Sequence, residues 1–86
     1  MDKQYKAEFL SLMGARIRGI REDAGLSQPK LGEMVGIDHG EISRIESGLR
    51  CIRIDTLAAF CNALRTRADY LIFGRDPKHY VEKGKG

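Results

Sequence analysis

The segment from Gln28 to Gly48, QPKLGEMVGIDHGEISRIESG, constrains this chain more than any other. Leu31 and Val35 recur at helical spacing before Gly36, Ile42 and Ile45 recur at helical spacing after it, and Ile37 abuts the break. Small Gly32 follows Leu31 in the first of these stretches. A glycine set between two helical periods predicts two short helices joined by a tight turn. Such a pair forms a helix-turn-helix, whose second helix can lie in the major groove of DNA. The expectation is a sequence-specific DNA-binding protein, read as a small transcriptional regulator.

The rest of the chain fits one small all-α domain. Eighty-six residues hold a single core. With 42% apolar residues, three Tyr, three Phe and no Trp, that core is expected to be aliphatic. No run approaches the roughly 18 apolar residues that cross a bilayer. The N-terminal MDKQYKAEFLSLMG lacks the long apolar stretch of a secretory signal. A soluble, cytoplasmic protein follows, and Met1 together with the chain's own tail reads as a complete short protein rather than a fragment of a larger regulator.

A first helix is predicted over about 5–24, with Phe9, Met13, Ile17, Ile20 and Ala24 on one face and Gly25 as its stop. Ser27 caps the second helix and Pro29 sits in its first turn, where a missing amide costs nothing. Asp38 opens the third helix, and Asp38-His39-Gly40-Glu41 reads as an acidic capping box. A loop over 49–53 leads to a fourth helix over 54–64, expected to bury Leu57, Phe60, Cys61 and Leu64. A fifth helix over 68–73 closes a domain of residues 1–74. The remainder, RDPKHYVEKGKG, reads as a flexible basic tail.

Charge alone does not point to nucleic acid. The net charge is +3, but residues 1–74 carry 11 Lys and Arg against 10 Asp and Glu, and the tail supplies the other +2. Attraction to phosphates must therefore come from local placement of basic side chains. The two cysteines have no metal-ligand spacing, and read as one exposed thiol (Cys51) and one buried small hydrophobe (Cys61). No phosphate loop, metal cluster or activated nucleophile is visible, so neither an enzyme nor a cofactor is expected.

The ordered set Gly14-Ala15-Arg16-Ile17, Arg21, Gly25-Leu26-Ser27-Gln28, Gly36-Ile37, Ile42-Ser43-Arg44-Ile45-Glu46, Gly48, Leu57, Leu64 and Asp69-Tyr70-Leu71 resembles the phage-repressor and Cro-type helix-turn-helix family, also called the xenobiotic-response-element family. The resemblance implies a compact five-helix, lambda-repressor-like domain. It also implies an ion pair between Arg21 and Glu46, tying the first helix to the end of the third. The chain departs from the family in four places. Gly32 stands where Ala is usual, Ile52 where Pro is common, Arg65 where Gly is usual, and Gly40-Glu41 where Ser, Thr or Gln are frequent.

Candidate roles follow from position. His39, Gly40 and Arg44 share the exposed end and face of the third helix, so they are the candidate base readers. Arg44 can donate two hydrogen bonds to guanine or pair with Glu41 or Glu46. His39 reads a base or is a bystander, and Gly40 contributes by leaving room. Glu41 either caps the helix or accepts a hydrogen bond from cytosine, and as an acid facing phosphates it would also lower non-specific affinity and penalise wrong sequences. Ser27 and Gln28 open the second helix, where free amides and partial positive charge suit a phosphate. Lys30, Ser43, Arg50 and Arg53 are further candidates for backbone contact. In similar repressors a loop residue such as Arg53 reaches the minor groove.

The partners expected are double-stranded DNA and a second copy of the chain, with a dimer surface near the fifth helix at Tyr70, Ile72, Phe73 and Tyr80. An inverted-repeat operator would then be bound. The alternative is an antitoxin-like interaction module that holds a protein partner through the tail.

Overall fold

The computed structural model describes residues 2–75, and among these the chain forms five helices and no strand. They are α1 (Lys3–Asp23), α2 (Gln28–Val35), α3 (His39–Glu46), α4 (Ile54–Leu64) and α5 (Ala68–Phe73). Of the expected tail, only Arg75 is among the described residues; Tyr80 and His79 lie outside them.

Helix α1 differs from expectation at both ends. It begins at Lys3 because Asp2 is extended and its carboxylate accepts the Gln4 amide at 2.8 Å. It ends at Asp23, so Ala24 is an exposed cap and not part of the buried face. Bonds from Gly25 N to the Glu22 carbonyl (2.9 Å) and from Leu26 N to the Arg21 carbonyl (3.0 Å) close the end. These satisfy carbonyls that the last turn would otherwise leave free. The buried stripe accordingly runs Met13, Gly14, Ile17, Arg21, and a charged side chain stands where an apolar one would be the default.

Nine buried hydrophobics form the core: Met13, Ile17, Leu31, Ile42, Ile45, Leu57, Phe60, Leu64 and Leu71. Every helix contributes at least one, so no helix can leave without exposing apolar surface worth about 1.5–3 kcal/mol per large side chain. Cys61 is only half-buried, because it lies at the edge of the α4 stripe whose centre is Phe60. Arg16 ties α5 to α1, its guanidinium donating to the Leu71 and Ile72 carbonyls at 3.2 and 3.3 Å. A cation there also complements the negative end of a helix.

Candidate nucleic-acid interface

The turn between α2 and α3 depends on two glycines with different tasks. Gly36 adopts a left-handed conformation (φ 78°, ψ 29°), and its amide and that of Ile37 both bond to the Gly32 carbonyl, at 2.8 and 3.0 Å. A side chain in that conformation is strained. Gly32 is needed for proximity: a Cβ there would stand 2.5 Å from the Ile37 carbonyl oxygen. Gly14 does the same on α1, where a Cβ would fall 2.5 Å from the Glu46 carbonyl oxygen at the end of α3.

Helix α3 is thus pinned by its backbone on one side and by its side chains on the other. Ile42, Ile45 and Glu46 face inward and are buried, while His39 and Arg44 are exposed and Gly40, Glu41 and Ser43 are half-buried. His39 and Arg44 therefore lie on the outward side of the helix, with Gly40 between them in sequence.

Arg21 and Glu46 join the elements below that surface. Arg21 Nε donates to Glu46 Oε2 at 2.6 Å and Nη2 to Oε1 at 3.0 Å, while Nη1 reaches the Leu26 carbonyl at 2.8 Å. Gln28 adds a fourth bond, its Nε2 donating to Glu46 Oε1 at 3.1 Å. The Arg21 and Glu46 side chains are 9% and 2% exposed. Hydrogen bonding to Glu46 raises the Arg21 pKa above its ordinary value, outweighing the opposing cost of burial. The end of α1, the start of α2 and the end of α3 are thereby fixed through one carboxylate.

The helix starts are capped, though not wholly as expected. Ser27 Oγ accepts the Lys30 amide at 3.1 Å and Asp38 Oδ2 accepts the Gly40 amide at 2.9 Å. The reciprocal half of the predicted capping box is not formed. Glu41 turns to two arginines, accepting from Arg44 Nη1 at 3.5 Å and Arg50 Nε at 3.4 Å. Two cations compete better for a carboxylate than one neutral amide does. Arg53 is likewise engaged, its Nε and Nη2 donating to Asp55 at 3.2 and 3.3 Å. That pairing, helped by the Thr56 amide, holds the Asp55 carboxyl below the usual carboxylate range. Sequence reading did not single out the pairs Arg53–Asp55 and Arg50–Glu41. The first was legible as neighbours at a helix start; the second needed the chain reversal after α3.

Among the described residues no group of three or more His, Cys, Asp or Glu could hold a metal ion, both cysteines are free thiols, and no helix is long and apolar enough to cross a membrane. What the surface offers is donors on a rigid frame, which is chemistry for binding.

The family model described as a helix-turn-helix domain matches residues 12–71. Among solved structures, the P22 c2 repressor in complex with synthetic operator 9T is similar at 38% identity and a TM-score of 0.72, over 74% of this chain and 97% of that one. The restriction-modification controller protein C.AhdI from Aeromonas hydrophila is similar at 29% identity and a TM-score of 0.69, over 72% and 94%. An uncharacterized HTH-type transcriptional regulator of Mycobacterium tuberculosis is 38% identical over 58 residues, 67% of this chain. The match spans 41% of that relative's length.

Proposed function

The chain belongs to the helix-turn-helix domain family, in its phage-repressor-like branch, and from that premise we propose that it is a sequence-specific, DNA-binding transcriptional regulator acting in the cytoplasm. The observation that carries this reading is the split of α3: Ile42, Ile45 and Glu46 are locked into the domain, leaving His39 and Arg44 outward beside Gly40. A helix so held can enter a major groove without paying to order itself.

In this reading Arg44 donates two hydrogen bonds to guanine O6 and N7, a contact worth about 1–3 kcal/mol of discrimination. His39 reads a neighbouring base, and Gly40 admits a base edge or thymine methyl because it has no side chain. Ser27 and Gln28 bring the N-terminal end of α2 to a phosphate, and Lys30, Ser43, Arg50 and Arg53 set the domain on the backbone. None of these roles requires catalysis.

One recognition helix reads too few base pairs for useful selectivity against a genome. A homodimer placing two such helices about 34 Å apart would read an inverted repeat. Phe73, 59% exposed beside half-buried Tyr70 and Ile72, offers apolar area for an isologous contact at α5. Operator occupancy then represses by excluding polymerase. Selection of bound duplexes from a random library tests this function. Enrichment of an inverted repeat is the expected result, and no enriched sequence at modest salt would contradict it. Sedimentation tests the assembly: a monomer at high micromolar concentration, with and without DNA, would contradict the dimer.

A further inference from the structure

Glu41 lies between two arginines that the proposed function assigns to DNA. Its Oε1 accepts from Arg44 Nη1 at 3.5 Å and from Arg50 Nε at 3.4 Å, although Arg50 is nine positions away in the chain. The approach is built into the fold. Gly48 turns left-handed (φ 77°), and Leu49 N bonds back to the Arg44 carbonyl at 2.9 Å, so the chain reverses and Arg50 comes back beside the start of α3. The Glu41 side chain is 35% exposed and the Arg44 and Arg50 side chains 51% and 53%. All three groups therefore reach solvent, and the pairs break at little cost.

We propose that Glu41 is a specificity-determining residue that acts as an internal substitute for a DNA phosphate, holding Arg44 and Arg50 until a matched site can replace it. This rests on the DNA-binding reading above and deepens it. A duplex of arbitrary sequence attracts these arginines only through its charge, which is the bulk of non-specific affinity. To take them it must displace a carboxylate already in place, and that carboxylate also faces the duplex and repels it. A matched site offers Arg44 two directed hydrogen bonds to guanine in addition to charge, so it replaces the lost pair where an unmatched site does not. Glu41 thus weakens binding everywhere, but least where the base contact is right, and discrimination rises as affinity falls.

The test compares wild type, Glu41→Gln and Glu22→Gln by fluorescence anisotropy, on the duplex selected by wild type and on a random-sequence duplex, between 50 and 200 mM salt, a range over which phosphate contacts make affinity fall steeply. Glu22 is exposed on α1 and pairs with Arg18, so its variant changes net charge equally without touching this surface. Glu41→Gln is expected to tighten the random duplex by about threefold to tenfold, with a salt slope steeper by about one, and to tighten the selected duplex less. Glu22→Gln should leave the ratio of the two affinities unchanged. Equal tightening on both duplexes, or none, would overturn the role given to Glu41 while leaving DNA binding intact. Failure of wild type to bind either duplex would overturn the DNA reading and this inference together. A readout without DNA stands beside these: the Arg44 and Arg50 Nε–H resonances should both move in Glu41→Gln, and if neither moves the pairing does not exist in solution.

Discussion

The Arg21 guanidinium and the Glu46 carboxylate, 25 positions apart in the chain, meet at 2.6 and 3.0 Å almost entirely out of water. Gln28 and the Leu26 carbonyl complete their hydrogen bonding, and the described residues contain no buried side-chain polar atom without a partner. Removing one member strands the other. Glu46→Ala is expected to cost about 3–5 kcal/mol, whereas Arg44→Ala, which loses only an exposed pair, should cost less than about 1 kcal/mol. Thermal melts check the order, and a larger loss for Arg44→Ala would contradict it.

The close turn predicts opposite outcomes for two substitutions that look alike. Gly32→Ala adds helix propensity but drives a methyl to 2.5 Å from the Ile37 carbonyl oxygen, so it should destabilise by about 1–3 kcal/mol. Gly19→Ala lies mid-helix with open space around the added methyl, so it should stabilise by about 0.5–1 kcal/mol. Chemical denaturation of both variants decides whether propensity or proximity governs position 32.

Arg65 ends α4 in a left-handed conformation (φ 52°), and it is the only residue other than glycine among those described with positive φ. Its side chain is exposed, so Arg65→Gly loses little and relieves the steric cost of that conformation. A net gain of about 0.5–1 kcal/mol is expected after allowing for the freer unfolded chain. A fall in the melting temperature would contradict it.

The two thiols should differ in reactivity. Burial, with a smaller contribution from the Asp69 charge, pushes the Cys61 thiol above its ordinary value of 9.0, while Cys51 is exposed. Native labelling should modify Cys51 first and the half-buried Cys61 more slowly. The raised value means that the protonated thiol's contribution to stability is fully present below pH 9.0 and is lost as pH rises through the higher folded value. Melts of wild type and Cys61→Ala should therefore converge toward strongly alkaline pH. Equal labelling rates would contradict the difference in burial.

Helices whose ends are marked by local chemistry were legible in the sequence. Ser27 with Pro29, and Asp38 at the start of α3, gave α2 and α3 their beginnings, and Gly36 gave the turn. What escaped depends on contacts between elements. Ala24 matched the apolar period but lies past the end of α1. The Arg21–Glu46 pair was expected from the family resemblance and is formed, though helical spacing alone would have put an apolar residue at position 21. Glu41 had the spacing of a capping residue, yet the reversal at Gly48 brought Arg50 within reach of it. Gly32 read as a departure from the family's usual Ala, and a Cβ there would stand 2.5 Å from the Ile37 carbonyl oxygen, a closeness that only the packed turn reveals.

In the proposed function α3 reads bases through Arg44, and selection from a random duplex library, run in parallel on wild type and Arg44→Ala, tests that contact. The expected result is an inverted repeat for both proteins, with Arg44→Ala losing its preference for guanine at one symmetric position in each half-site. An identical preference for the two proteins at every position would contradict it.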